Sequence, residues 1–379
     1  MERRSFFKYA GAALTGGLLA GQASQAQEIG SETASLASSA GATDSRPEVR
    51  WRLASSFPRS LDTIFLAAES VAQQVSIATE GRFTIEVFAA GEVIPAFEVL
   101  DAVRDEIVEM AHSASYYFFR KNPVYAFDAA VPFGLNNRQM DAWYRAGNGL
   151  KLMRDFFAQE DIYNIPCGNT GTQMGGWFKK EIKSVEDLKG LRIRVGGFAG
   201  AVLSKLGALP QQIPGGEVVR ALEQDLIDAA EWIGPHDDQR LGFQKHAPFY
   251  YYPGWWEGGT NFSMYINQKN WKALPASYQA ILQAACANAH VETLTKYDAR
   301  NPIALRSLLA AGTQIKPFPK DLMDAAFKAA AEVYRETSAK NPTFKAIFDD
   351  FAEFRRSQLE WQSYAESSFL NDSLARRQF

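Results

Sequence analysis

The order of strand-like and helix-like segments between residues 49 and 270 most restricts the folds that this chain can adopt. In "VRWRLASSF", apolar residues alternate with charged ones, which indicates a half-buried strand. Ile64, Ala68, Val71 and Val75 then recur at helical spacing. "RFTIEVFAAG" and "IYNIPCGNTG" are further strand candidates, and helix-like stretches separate them. This alternation predicts an α/β fold with mostly parallel sheets.

The second half of the chain continues the alternation and then becomes helical. "QMGGWFK", "LRIRVGG" and "LIDAAEW" predict strands, and "GGEVVRALEQD" predicts a short helix. From about Ala276 the pattern is mostly helical, and Pro302 predicts the end or a kink of one long helix. The length of 379 residues leaves room for two domains.

The N-terminal segment predicts export. Arg3 and Arg4 precede the uncharged run "YAGAALTGGLLAG" and the small residues of "GQASQAQ". This order is typical of a twin-arginine signal over residues 1–26, and the apolar run is too short for a membrane span. Residues 27–48, rich in Ser, Ala, Thr and Gly, predict a flexible leader. We therefore expect the mature protein in the periplasm.

Charge and motifs argue against several classes of protein. The net charge of -3 gives no electrostatic case for binding nucleic acid. The chain has no G-x-S-x-G, H-E-x-x-H or P-loop motif. Cys167 and Cys286 lie in apolar runs, which favours two buried thiols over a disulfide framework. The histidines share no ligand-like spacing; they are His112, His236, His246 and His290.

Four segments carry a resemblance to a known family. "DLKGLRIRV", "AVLSKLGA", "GGEVVRALEQ" and "IDAAEW" occur in this order. They resemble the signature region of TRAP-transporter substrate-binding receptors, the DctP family, and are closest to its 2-oxo-acid and lactate-binding branch. One departure is Asp225, where the family often has a glycine in a turn.

The resemblance implies a type II periplasmic-binding-protein fold with long C-terminal helices. Two lobes would flank a ligand cleft and close by hinge motion. We expect lobe I over residues 49–171 plus 260–305, and lobe II over 172–259 plus 306–379. The implied function is capture of a small monocarboxylate, such as pyruvate or another 2-oxo or 2-hydroxy acid, for a TRAP permease, with no bond made or broken.

Arg192 and Arg194 are the candidates for binding a carboxylate. A guanidinium fork suits this role because two parallel N–H bonds fix both oxygens. Both arginines lie in "LRIRV", two residues apart, and point to the same side of a strand. The alternation of side chains along the strand therefore does not show which of them binds the carboxylate. A surface ion pair is the alternative for either residue. The resemblance assigns the ligand carboxylate to Arg194.

Polar residues before the second group of strands are further candidates. From the residues alone, Gln173 in "GNTGTQMGGWF" is a polar edge residue. The resemblance implies that its amide binds a metal ion and the acid, with Asn169 as a neighbour. Tyr116 and Tyr117 in "SASYYFF" either supply a hydroxyl from lobe I or are ordinary strand aromatics.

Glu231 is the candidate metal ligand. It ends the run "LIDAA", where a strand would deliver it to the cleft. A bare carboxylate there would repel an anionic ligand unless a cation lay between them. The resemblance implies that Glu231, the backbone carbonyl of Trp232 and Gln173 hold Na⁺ or Ca²⁺, with the Trp232 ring as a pocket wall. Glu257 in "WWEGG" is either a further metal ligand or an exposed glutamate beside core aromatics.

Three alternatives to this metal site remain open. Glu231 could be a solvated strand-end residue beside a core tryptophan. The protein could be a metal-free receptor for another organic acid or a polyol. It could also be an exported α/β enzyme with Glu231 or Glu257 as base, although the sequence shows no nucleophile–base pair.

The C-terminal segment "FKAIFDDFAEFRRSQLEWQSYAESSFL" predicts a long helix. It carries Phe348, Phe351, Leu359 and Phe369 among charged residues. On its own, this pattern predicts packing on the same lobe. The resemblance implies that the terminal helix is exchanged between subunits, which predicts a homodimer.

Overall fold

The computed structural model describes residues 46–376; the predicted signal and most of the leader lie outside them. The strands β1 to β11 are Val49–Ser55, Phe83–Phe88, Met110–Ser113, Ile162–Asn169, Trp177–Phe178, Arg192–Arg194, Leu209–Gln211, Ala229–Ala230, Phe249–Tyr252, Asn261–Asn267 and Gln314–Pro317. The helices α1 to α13 are Ile64–Ala78, Val99–Arg104, Ala126–Ala129, Asn137–Arg145, Gly149–Ala158, Gly197–Lys205, Val218–Glu223, Pro235–Leu241, Gln268–Ala273, Ala276–Ala310, Lys320–Lys340, Pro342–Tyr364 and Glu366–Ala375. The mixture of strands and helices confirms the predicted α/β class.

The first sheet has the strand order β2-β1-β3-β10-β4. β1 pairs in parallel with β2 and β3, whereas β10 is antiparallel to β3 and β4. Helix α1 buries the predicted face of Ile64, Ala68, Val71 and Val75. Fully burying one such Ile or Val side chain stabilises the fold by about 1.5–3 kcal/mol, so this face holds α1 in place.

The second sheet has the strand order β11-β9-β5-β8-β6-β7. β6 pairs in parallel with β7 and β8, and β5 is antiparallel to β8 and β9. Of the eleven strands in residues 46–376, nine run in the common direction of their sheet, which confirms the expected mostly parallel arrangement. The exceptions are β5 and β10, which enter antiparallel after the chain crosses between the sheets. The predicted strands "QMGGWFK" and "LIDAAEW" are two-residue strands, β5 and β8.

Within residues 46–376 the chain crosses between the sheets three times. The crossing from β10 to β11 runs through α9 and α10, and the two short crossings are residues 170–176 and 253–260, which we call the two crossing segments. The first leads from β4 to β5, and the second leads from β9 back to β10. The lobe boundaries proposed near 171 and 260 stay a prediction.

Helix α10 runs from Ala276 through Pro302 to Ala310, so the predicted helix end at Pro302 is wrong, and the alternative of a kink there stays a prediction. A proline forgoes one backbone hydrogen bond and crowds the preceding turn. Helix α10 packs against β4, α1 and α8, and this packing offsets the local loss. The cysteine prediction holds, since Cys167 on β4 and Cys286 on α10 are buried free thiols.

The predicted long C-terminal helix is two helices, α12 and α13, that meet at Ala365. Phe351 is buried, and Phe348 is partly buried against the same core. Leu359 and Phe369 are exposed.

Phe351 packs on Phe127 and Trp143, so the first part of the segment packs on its own chain, but on residues of the predicted lobe I and not of the lobe to which it was assigned. In the second part, Gln362 is buried and accepts from Gln139, while the apolar side chains are exposed.

The turn at Asp225 keeps a left-handed backbone although a glycine is absent. Asp225 has φ 55, a conformation that aspartate tolerates better than most side chains. Lys179 forms an ion pair with Asp225. The hydrogen bond from Lys179 is the main cause that lowers the pKa of the Asp225 carboxyl, and the positive charge of Lys179 is the next. The departure from the family pattern therefore leaves the turn intact.

Candidate ligand and metal site

Arg194 lies at the end of β6 with 1% of its side chain exposed. Its Nη1 donates to the carbonyl of Glu231 at 2.6 Å and to Oε2 of Glu231 at 2.8 Å, and its Nε donates to the Ile213 carbonyl at 3.2 Å. Its Nη2 is buried without a hydrogen-bond partner. A buried donor without an acceptor is costly, so this nitrogen is available to a ligand oxygen.

Arg192 has a different environment. Its Nε and Nη2 donate to the two carboxylate oxygens of Asp228 at 2.9 and 2.7 Å. Both side chains are more than a third exposed. Arg192 thus forms the surface ion pair that was the alternative for either arginine, and Arg194 is the buried one.

Glu231 directly follows β8 and is 1% exposed. Its Oε2 binds Arg194, whereas its Oε1 has no hydrogen-bond partner. Burial and then the charge of Glu257 raise the pKa of Glu231 well above its ordinary value, while Arg194 opposes the shift. Two buried carboxylates next to a single guanidinium favour a further positive charge at this place.

Gln173 and Glu257 lie on the two crossing segments. The Nε2 of Gln173 donates to the hydroxyls of Thr170 at 3.1 Å and Thr260 at 3.0 Å, while its Oε1 has no partner. The Thr260 hydroxyl also donates to Oε2 of Glu257. Burial raises the pKa of Glu257 to about 7, against the opposing effects of Thr260 and Arg194. Both threonines therefore orient the amide so that its oxygen is left for another group.

Trp232 forms a wall of the site. Its ring centroid lies 4.6 Å from the Arg194 guanidinium, a cation–π contact. On the loop before α7, a Cβ added to Gly215 would lie 2.3 Å from the ring, so only a glycine leaves room for it there. The Trp232 Nε1 is buried and has no acceptor.

Tyr116 and Tyr117 follow β3 and are both 6% exposed. Burial and then the charge of Glu257 raise the pKa of Tyr116 well above its ordinary value. Burial raises the pKa of Tyr117 to about 12, with Arg194 opposing the shift. The charges of Arg194 and Glu257 therefore affect both tyrosines, although the tyrosines follow a strand of the first sheet.

Asn169 supports the first crossing segment. Its Nδ2 donates to Oδ1 of Asn261 at 2.7 Å, and its Oδ1 accepts from the Gly171 N–H at 2.8 Å. The contact of Asn169 with a ligand stays a prediction.

The unpaired atoms of this site form a complementary set. Gln173 Oε1 and Glu231 Oε1 are buried acceptors without donors, and Arg194 Nη2 and Trp232 Nε1 are buried donors without acceptors. Oxygen ligands suit a hard cation such as Na⁺ or Ca²⁺, and a site without thiolate or imidazole ligands is poor for zinc. The N–H donors suit the oxygens of an organic acid. These residues therefore fit a cation and an anionic ligand side by side.

Asp238 is a supporting residue that the sequence reasoning missed. Its Oδ1 accepts from the N–H groups of Ile233 and Gly234 at 3.3 and 3.2 Å, and its Oδ2 accepts from Trp177 Nε1 at 2.9 Å. These bonds fix the backbone just after Glu231 and Trp232. An aspartate in the first turn of a helix that opens with Gly-Pro is typical of N-terminal capping, and this signal was present in "GPHDD".

A separate cluster joins His236 to Asp62 and Asp237. His236 Nε2 lies 3.0 Å from Asp62 Oδ1, and one ligand-type atom from each residue lies within 4.8 Å of the others. Arg240 and Arg300 approach Asp62 at 3.4 and 3.3 Å. Two guanidinium groups already supply positive charge here, so this cluster is an ion-pair network.

Comparison with known protein families and relatives shows which proteins this chain is similar to. The model of the family "Bacterial extracellular solute-binding protein, family 7" matches residues 54–341. A monocarboxylate 2-oxoacid-binding periplasmic protein of Nostoc sp. is 47% identical over 325 residues, covering 86% of this chain and 89% of the relative.

Two solved structures are also similar. A TRAP transporter solute-binding protein of Bordetella bronchiseptica, a dimer with copurified calcium and picolinate, has 47% identity and a TM-score of 0.86 over 87% of this chain and 98% of that one. A TRAP periplasmic protein of Pseudoalteromonas atlantica with bound sodium and pyruvate has 38% identity and a TM-score of 0.83 over 86% and 99%.

Within residues 46–376, no helix combines the length and apolarity needed to cross a bilayer. The family match, the identity to the Nostoc relative and the shared two-sheet fold agree. The chain belongs to family 7 of the bacterial extracellular solute-binding proteins, the DctP family of TRAP receptors.

Proposed function

We propose that this protein captures a small 2-oxo or 2-hydroxy monocarboxylate together with Na⁺ or Ca²⁺ and delivers the acid to the membrane subunits of a TRAP permease. The observation that carries this proposal is the buried juxtaposition of unpaired acceptors, on Gln173 and Glu231, with unpaired donors, on Arg194 and Trp232. The similar proteins that hold pyruvate or picolinate with sodium or calcium support it.

In this proposal, the acid and the cation bind to different chemical groups of the site. Arg194 Nη2 binds the carboxylate, and the Trp232 ring encloses the acid. Glu231, Gln173, the Trp232 carbonyl and Glu257 hold the cation, whose charge offsets both carboxylates and attracts the anionic acid. Tyr116 closes the site from the first sheet.

The proposed role is binding without turnover. Glu231 accepts from Arg194, which is not a nucleophile, and the Thr260 hydroxyl that donates to Glu257 is fully buried and orients the Gln173 amide. Incubation of the protein with excess pyruvate and Ca²⁺, followed by proton NMR, should return the acid unchanged. Accumulation of a new product would favour the exported enzyme instead.

Native mass spectrometry of protein purified without added ligand tests the function directly. We expect a small acid and one cation to leave together, and titration calorimetry with pyruvate and longer 2-oxo acids should then give cation-dependent binding. A neutral polyol as passenger, with no affinity for any 2-oxo acid, would contradict the proposal.

We further propose the twin-arginine route of export. It is supported by Arg3 and Arg4, which precede an uncharged run. Replacing both with lysine should leave the precursor in the cytoplasmic fraction. Normal periplasmic recovery of that variant would show a different route.

A homodimer through the C-terminal helix is also proposed. Helix α13 has no buried residue, and apolar side chains around it are exposed: Leu359, Trp361, Tyr364, Phe369, Leu370 and Leu374. An apolar surface of this kind is typical of a protein interface. The Bordetella bronchiseptica protein, a dimer, supports this arrangement.

A further inference from the structure

Tyr116 lies directly against two glycines that follow the Arg194 strand. Gly196 and Gly197 come immediately after Arg194 and Val195. A Cβ added to Gly196 would lie 2.7 Å from Cε2 and 3.1 Å from Cδ2 of Tyr116. A Cβ added to Gly197 would lie 2.7 Å from the Tyr116 Cβ. The tyrosine therefore occupies space that any side chain at these positions would need.

The Tyr116 ring has little room to move away. It is 6% exposed and packs edge-on against Tyr117, with ring centroids 5.1 Å apart. The Tyr117 ring in turn packs against Phe97 at 4.9 Å. A side chain at residue 196 would therefore meet a supported ring rather than a free one.

This contact joins the two sheets. Tyr116 follows β3 of the first sheet, whereas Gly196 follows β6 of the second. Arg194 and Glu231 are each 1% exposed, so an acid reaches them only when the sheets move apart. The contact between Tyr116 and Gly196 is consequently a feature of the closed arrangement.

We propose that Gly196 and Gly197 form a seat for Tyr116 that lets the two lobes close over the ligand, and that a side chain at Gly196 blocks closure. This inference rests on the proposed function as a receptor that closes on its acid. Gly196 has φ -89 and ψ 158, which any residue adopts, so an alanine strains only the contact with Tyr116. Gly197 has φ 57, so an alanine there would strain the backbone as well as the contact with Tyr116. A substitution at Gly197 therefore tests the contact less selectively.

The test compares Gly196→Ala with Gly200→Ala in calorimetric titrations with pyruvate and Ca²⁺. Overpacking of a rigid contact should weaken binding by Gly196→Ala about 10- to 100-fold. Gly200 lies on α6, and a Cβ there would meet Pro210 Cβ at 3.5 Å, an ordinary van der Waals contact, so Gly200→Ala should bind as the parent does. In a Tyr116→Ala background, Gly196→Ala should cause no further loss. An affinity of Gly196→Ala equal to that of the parent would overturn the inference.

A distance measurement separates this inference from the proposed function. Spin labels at Ile77→Cys and Leu226→Cys would report the separation of the lobes, because both sites are exposed and the native cysteines are buried. With pyruvate and Ca²⁺, the parent should gain a short distance that Gly196→Ala lacks.

If the parent binds no 2-oxo acid, the proposed function fails, and the free proteins still decide the inference. A short-distance population in the free parent that Gly196→Ala lacks would support the seat. Equal distributions in the two proteins, or no short distance in the parent under any condition, would overturn it.

Discussion

Replacing Glu231 with glutamine should uncouple acid binding from cation binding. The carboxylate has two acceptor oxygens, one bound to Arg194 Nη1 at 2.8 Å and one without a protein partner. The amide of Glu231→Gln has a single acceptor oxygen. If that oxygen accepts from Arg194, an N–H group faces the cation, and if it faces the cation, the hydrogen bond from Arg194 is lost. A hydrogen bond to a charged group contributes about 1.5–3 kcal/mol, so cation affinity should fall roughly 10- to 100-fold.

The assay is the affinity for pyruvate of parent and variant, first with chelator in a sodium-free buffer and then with Na⁺ or Ca²⁺ restored. In the parent, the cation should tighten the acid by the same factor by which the acid tightens the cation. In Glu231→Gln, acid affinity should no longer respond to cation concentrations that just saturate the parent, while Glu223→Gln at an exposed position should behave as the parent. A parent affinity that ignores every cation would refute the metal site and leave Glu231 as a polar wall.

Three further outcomes are expected. Arg194→Lys should weaken acid binding by about 1.5–3 kcal/mol in calorimetry, whereas the control Arg192→Lys should not; equal losses would refute the assignment. Burial lowers the pKa of His112 to about 3 in the folded chain. Below about pH 6.5, His112 therefore binds a proton in the unfolded chain but stays neutral in the folded chain. In urea titrations, the unfolding free energy of the parent minus that of His112→Leu should fall by up to about 1.4 kcal/mol per pH unit between about pH 6.5 and about pH 3; a difference that does not change with pH would contradict this. Phe369→Glu with Leu370→Glu should give a monomer by light scattering, and a parent that is itself monomeric would end the dimer proposal.

The sequence predicts which charged side chains come together better than it predicts the residues that support them. Glu231 and Arg194 end short strands of one sheet, so their proximity follows from parallel neighbouring strands whose carboxyl ends meet at one edge. The threonines that orient Gln173 come from both crossing segments, and nothing local in "GNTGTQ" identifies Thr260 as a partner. Contacts between distant segments depend on how the chain crosses, which local patterns do not encode.

The same limit explains the errors in the fold. Local propensity predicts a break at Pro302, but packing of α10 against β4, α1 and α8 favours a continuous helix. The break in the C-terminal segment occurs at Ala365, a residue with no intrinsic tendency to end a helix. Asp62 and His236 are far apart in the sequence, and only the tertiary fold reveals the contact between them at 3.0 Å.

The position of Gln173 and Glu257 on the two crossing segments has a mechanical consequence. When two bodies rotate about a common axis, each atom moves by the angle multiplied by its distance from that axis. In the proposed closure, the crossing segments are the two short covalent links between the sheets and therefore lie near the axis, whereas Tyr116 moves with the first sheet. A cation held between Gln173 and Glu257 is displaced least when the protein opens. The cation should therefore outlast many rounds of acid exchange, which pulse-chase with radioactive calcium and labelled pyruvate would measure.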